Sequence, residues 1–349
     1  MRRPLITVLI TTYNRANLLQ YAIQSVLNQT LKNIEIIILD DASFDNTKSV
    51  VATYADKRII YLRQKENVGF TQNFKTGIKK AKGTYIFLLS DDDMILRSDS
   101  LATLYNEMKK KKAGVGSMSL LFYENNIKRP TYFFSAKKGI YFLPPSPSNI
   151  LKVITWHFGF MSGNMCRRDL IKMADIEDDL WVAHLKPLYR ALISHGCIYL
   201  GNHYILGQIS THGNIKHLDI RVNDGYHLSK QLHMYKDLDS SSDRLRIFTK
   251  LQVKGVSSSL IGIKYYSSNT NMFAIALKLK KFYPPIVYSL GFWLHFALAL
   301  LLPKWVLSQI RSMRLSLRSN HLLSTISSIG IKTYLNPILN PFICVKSQR

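Results

Sequence analysis

Between residues 5 and 90, short continuous apolar runs alternate with segments of helical periodicity. LITVLITT (Leu5–Thr12), IEIIILDD (Ile34–Asp41), RIIYLRQ (58–64) and TYIFLLS (Thr84–Ser90) have the length and β-branched content of strands. Their apolar residues are consecutive rather than alternating, so each such strand must be covered on both faces. Between them, ANLLQYAIQSVLNQT sets Leu18, Leu19, Ala22, Ile23, Val26 and Leu27 on one helical face. DNTKSVVATYAD opens on capping residues, and GFTQNFKTGIKKAKG closes on Gly83. This order predicts an α/β fold: a mostly parallel sheet with helices on both faces.

Sheets of this kind bind ligands at the carboxyl ends of their strands. Polar clusters follow three of the four strands: TTYNR (11–15), DDASFDNT (40–47) and SDDD (90–93). They are expected to line one edge of one crevice. The run Asp91-Asp92-Asp93 stands out in a chain of formal net charge +25. Adjacent carboxylates at a buried strand end repel one another unless a cation neutralises them. A hard divalent ion, Mg²⁺ or Mn²⁺, takes one or two carboxylates and leaves places for phosphate oxygens. The plain alternative is a solvated acidic turn. In the second cluster, a carboxylate can accept the imide N–H of a pyrimidine or bind a ribose hydroxyl. Tyr13 can stack on a base and Arg15 can face phosphate. Equally, Asp45 and Asn46 can simply cap a helix, and Tyr13 can be core.

The segment from Pro4 to Thr47, followed by ENVGFTQNFKTGIKKAKGTYIFLLSDDD (66–93), resembles the inverting nucleotide-sugar glycosyltransferases of family two. The resemblance implies the GT-A fold, a Rossmann-like sheet, and is closest in character to bacterial enzymes that build O-antigen or capsule. It carries the nucleoside contact to Asp41, with Thr12 and Tyr13 beside it. It carries the metal and donor diphosphate to the acidic strand end. The family often has Asp-x-Asp-Asp there, and this chain has Ser90 at the first position. Asp92 then falls on the principal metal ligand, with Asp91 and Asp93 in support. The catalytic base of the family is an aspartate in a Glu-Asp pair ahead of a helix ending in a pattern matched by RALISHG (190–196). In that register the aspartate is replaced by His184, while Asp178 and Asp179 follow Glu177 a few residues earlier. Both assignments stay open: a histidine is a competent base, with an unperturbed pKa of ~6.5.

The resemblance implies residues 1–215 as catalytic domain, with 1–95 holding the nucleotide-sugar and 96–215 the acceptor. The expected partners are a nucleotide-sugar, UDP-linked by preference, and a glycan or polyprenyl-diphosphate-linked acceptor. Residues 216–349 read as a basic, helical region. From Arg244 onward there are 15 Lys and Arg and no Asp or Glu, which calls for an anionic partner. Ile286–Leu302 is a run of 17 residues without formal charge, short for a membrane span and interrupted by His295. An anionic membrane surface is therefore the expected partner, with the chain peripheral on the cytoplasmic face of the cell membrane. Three widely spaced cysteines, none in a CxxC pair, suit a reducing compartment. The apolar run after Arg2-Arg3 is too short for a signal-peptide core.

Other classes fit less well. No GxGxxG follows the first strand, as a dinucleotide-binding dehydrogenase requires. A dehalogenase-type phosphatase needs a different pattern after its second aspartate. A nucleic-acid- or lipid-binding protein without transferase activity would explain the basic C-terminal third but not carboxylates at two strand ends, so no nucleic-acid partner is expected.

Overall fold

The computed structural model describes residues 3–123, 132–134, 138–155, 160–176, 183–208 and 233–251, together with 272–273, 276–277, 280–281, 284–303, 305–306 and 309. One compact unit contains Met1–Ile209 and a second contains Ser210–His321. The expected boundary at 215/216 falls outside the described residues.

The first unit is built on a ten-stranded mixed sheet. Its first half runs β3 (Ile59–Arg63), β2 (Ile34–Asp40), β1 (Ile6–Thr12), β4 (Tyr85–Ser90), all parallel. β9 (Met165–Arg167) is antiparallel to β4 on one side and to β6 (Val115–Tyr123) on the other. β10 (Cys197–Gln208) lies parallel to β6 and antiparallel to β5 (Asp93–Ile95) and β8 (Ile140–Leu143). β7 (Tyr132–Phe134) pairs with β6. The antiparallel β9 joins the parallel first half to a mixed second half in one sheet.

The four predicted strands and three predicted helices of the first ninety residues are all present. The helices are α1 (Ala16–Leu27), α2 (Thr47–Ala52) and α3 (Gly69–Lys80). β1 and β2 are buried along nearly their whole length, as their continuous apolar runs require. Odd positions of β4 (Tyr85, Phe87, Leu89) pack with Leu19, Ile23 and Val26 of α1 and with Leu101 and Leu104 of α4 (Ser100–Lys111). Even positions (Ile86, Leu88) pack with Phe74 and Ile78 of α3 on the other face. Period-two alternation of side chains thus divides one strand between two cores.

At the amino edge of the sheet a buried carboxylate ties three segments together. Glu35 accepts the Thr7 hydroxyl and the backbone N–H groups of Lys82 (2.6 Å) and Gly83 (3.2 Å). Gly83 N–H also donates to Thr7 Oγ1 at 2.8 Å. A side chain at Gly83 would place its Cβ 2.3 Å from the Thr7 backbone nitrogen, so β4 can enter the sheet here only on a glycine. Gly83→Ala is accordingly expected to destabilise the unit by ~1–3 kcal/mol, the usual cost of overpacking. Urea denaturation of the variant measures this, and an unchanged midpoint would contradict the close approach.

Candidate active site

Parallel pairing brings the three polar clusters to one edge. Thr12 lies opposite Asp40, and Thr11 opposite Ser90, at the carboxyl ends of β1, β2 and β4. The first two loops then lock to each other. Asn14 N–H donates to Ser43 Oγ at 2.9 Å, and Phe44 N–H donates back to Asn14 Oδ1 at 2.7 Å. Asn14 and Ala42 both adopt left-handed backbone, with φ of 54° and 63°. Asn tolerates this region; Ala does so at a cost. Asp45 accepts Ala16 N–H at the start of α1 (2.9 Å) and Thr47 N–H at the start of α2 (3.1 Å). The capping role open to Asp45 is therefore filled, across two helices. Burial raises the pKa of Asp45, but these hydrogen bonds outweigh it and hold the carboxyl below its usual range.

Asp40 is fully buried and accepts from Ser43 N–H (2.9 Å) and the Tyr61 hydroxyl. Asp41 is also buried, and its two oxygens receive Val68 N–H (2.9 Å) and Gly69 N–H (3.0 Å) at the start of α3. Each oxygen keeps a second lone pair. Tyr13 is 39% exposed rather than core and meets the ring of Phe44 edge-on at 6.2 Å.

The aspartate run divides. Asp91 Oδ1 and Asp92 Oδ2 converge on a single nitrogen, Arg15 Nη1, at 3.3 and 2.8 Å. Asp93 turns the other way. It is buried in β5 and accepts the hydroxyl of Ser162, which itself accepts Ser90 N–H at 2.8 Å. Gly207 faces it across the ladder, where any Cβ would come within 2.5 Å of Asp93 Oδ1. The structure thus pairs Asp92 with Asp91, not with Asp93. Thr12 is buried beside Asp91, and its hydroxyl favours the ionised form of that carboxyl.

His184 occupies the N-cap position of α6 (Leu185–His195), the helix after α5 (Ser148–Thr155), and is 3% exposed. It lines a small cavity with Phe74, Ile86, Leu88, Cys166 and Leu188, on the α3 face of the sheet. That places it against the middle of β4 rather than at its acidic end. Asp178 and Asp179 lie outside the described residues.

A family model described as Glycosyl transferase family 2 matches residues 7–172. This stretch is a family 2 glycosyltransferase domain. The domain's relatives include a GalNAc(5)-diNAcBac-PP-undecaprenol beta-1,3-glucosyltransferase of Campylobacter jejuni, 39% identical over 36% of this chain and 41% of that protein. Another is a cholesterol galactosyltransferase of Borreliella burgdorferi, 29% identical over 48% of this chain and 49% of its own length. The chain therefore spans less than half of either relative. Among solved structures, a mannosyltransferase from Pyrobaculum calidifontis, in complex with GDP-Man and Mn²⁺, matches with a TM-score of 0.52. It is 17% identical and covers 86% of each chain. S. aureus TarS 1-349 in complex with UDP-GlcNAc gives 0.51 at 14% identity, over 81% of this chain and 90% of that one. These likenesses show the fold, the GT-A arrangement of a large mostly parallel sheet with helices around it.

Two features of this unit escaped sequence reasoning. Ser162 sat inside WHFGFMSGNM, an apolar stretch whose one hint was a small polar SGN break. Asp175 was passed over in favour of the acids that follow it. It forms a two-point ion pair with Arg190 of α6, at 2.6 and 2.9 Å, and so fixes the helix that RALISHG closes.

Burial raises the Asp91 carboxyl to about 7, with Arg15 opposing the rise and Asp92 adding to it. Asp93 is likewise pushed well above the ordinary range by burial and by Asp92. An acid with a raised folded pKa keeps its proton while the unfolded chain has lost its own. From about pH 4 to about pH 7, then, Asp91 makes the metal-free protein less stable as pH rises, at about 1.4 kcal/mol per pH unit at most. Above that window the penalty is constant. Asp91→Asn should flatten this decline, read as denaturant midpoints across the range. An identical pH profile would mean that Asp91 is already ionised.

Proposed function

We propose that the chain transfers a sugar from a nucleoside-diphosphate donor to a hydroxyl of a glycan or polyprenyl-diphosphate-linked acceptor. The transfer inverts the anomeric centre, uses Mg²⁺ or Mn²⁺, and serves bacterial surface polysaccharide such as O-antigen or capsule. The observation that carries this reading is the convergence of Asp91 and Asp92 on one Arg15 nitrogen at the end of β4. Two carboxylate oxygens that meet at one cationic atom form the kind of donor set that a hard divalent ion takes alongside phosphate oxygens. The ion, when bound, supplies charge stabilisation to the leaving diphosphate. Arg15, half exposed, can turn from the carboxylates to the phosphates.

The nucleoside would lie over Tyr13, with Asp41 offering its remaining lone pairs to an imide N–H, which favours a UDP-sugar. Mn²⁺ with GDP-Man in one structural neighbour, and UDP-GlcNAc in another, support a nucleotide-sugar donor with metal. By their names, both relatives act on a lipid or a lipid-linked glycan, which supports a lipid-linked acceptor. The base must reach the acceptor hydroxyl. His184 is buried beside an apolar cavity against the middle of β4, away from its acidic end, so the reading favours Asp178 or Asp179 over His184.

Release of nucleoside diphosphate from a panel of nucleotide-sugars, with extracted membrane lipid as acceptor, tests the reading. Asp92→Asn should abolish metal-stimulated release while the fold survives, because an amide binds a hard ion weakly. Near-wild-type turnover would remove the metal assignment. In the same assay, Asp178→Ala or Asp179→Ala should lower kcat by ~10²–10⁴ with donor affinity retained. His184→Ala should stay active. A folded, donor-binding but inactive His184→Ala would return the base to the histidine.

A further inference from the structure

In the second unit, the helix Leu290–Leu301 follows a 3₁₀ turn, Pro284–Tyr288. It is apolar on both sides. Phe292, Phe296 and Ala299 are buried, with Phe273 edge-on to Phe296 at 5.5 Å. The opposite side carries Leu290, Trp293, Leu294, Leu298 and Leu301, spaced three and four residues apart, all between 37% and 85% exposed. Residues at that spacing form one continuous stripe. Exposed Tyr288 and Trp305 stand beyond its two ends.

A leucine stripe of this kind in water marks a surface that is covered in use. A helix of 12 residues is ~18 Å long, against ~30 Å for the hydrocarbon core of a bilayer. Among the described residues no helix is long and apolar enough to cross a membrane. A spanning role would also expose the side that Phe292 and Phe296 bury. The charge around the stripe is one-signed. No acid occurs beyond Asp243, and Asp239 and Asp243 are already paired with Arg244 and Arg246. Lys280 and Lys281 are exposed shortly before the helix. A second copy docking through this stripe would bring two positive, acid-free segments together, which like-charge repulsion opposes.

We propose that Leu290–Leu301 lies in the plane of an anionic bilayer surface, its exposed leucines and Trp293 inserted and the flanking Lys280 and Lys281 on lipid phosphate. Trp and Tyr at the ends suit the headgroup level, and the apolar face supplies depth while the basic residues supply attraction. This surface deepens the reading of a lipid-linked acceptor, since it would hold the enzyme where such an acceptor resides.

The test is co-sedimentation of the full chain with phosphatidylglycerol-containing vesicles and with pure phosphatidylcholine vesicles, at low and high salt. Wild type should bind the anionic vesicles and be partly released by salt. Leu294→Glu/Leu298→Glu changes only exposed positions with a good helix former, and should weaken binding by about tenfold or more. Its nucleotide-sugar affinity should be unchanged. Failure of wild type to bind, or equal binding by the variant, would overturn the proposal. So would a wild-type dimer in sedimentation velocity that the variant dissolves, because the stripe would then serve a second copy. Vesicle binding lost in the variant, from a wild type with no affinity for any nucleotide-sugar, would leave the docking surface standing and remove the transferase reading instead.

Discussion

Parallel pairing of β1 with both β2 and β4 is the constraint on which the site depends. Each parallel strand must return through a helix, so every strand-to-helix turn falls on the same edge. Thr12, Asp40 and Ser90 become neighbours because register leaves them no other place. The opposite edge needs an equally firm tie, and Glu35 provides it by joining β1, β2 and the entry to β4 through one carboxylate. The sheet is thus held at one edge and left to do chemistry at the other.

Charge at the working edge is managed by separation. Of the three consecutive aspartates, one turns inward to Ser162 and two share a guanidinium. The turn makes this possible: Asp91 and Asp92 lie between β4 and β5, and only Asp93 is committed to a strand. The arginine that faces Asp91 and Asp92 comes from the first loop, so the acidic turn and the loop after β1 share one residue. The reciprocal hydrogen bonds of Asn14 with Ser43 and Phe44 hold that loop in a conformation that an alanine at position 42 would not choose alone.

Much of this was legible from residue order. Continuous apolar runs in Ile6–Thr12 and Ile34–Asp40 announced strands buried on both faces, and the polar clusters after them marked the edge. What could not be read was direction. The side-chain partners of Asp93 depend on Ser162 and Gly207, which lie far along the chain and in segments whose own composition is apolar. Asp175 resembled any other acid until α6 brought Arg190 to it. His184 matched a motif register, but the register counts residues along a helix and not the face on which they emerge. Its face turned out to be the one packed against Ile86 and Leu88.

The ladder between Asp93 and Gly207 has a consequence for the order of folding. The β3–β2–β1–β4 half closes through local crossovers and can assemble as soon as its residues leave the ribosome. The third aspartate cannot take its place in a strand until β10 has been made, and its hydroxyl partner must also arrive from 69 residues away. A nascent chain would therefore complete the edge formed by β1, β2 and β4 before β5, so that Asp93 is the last of the three aspartates to be fixed.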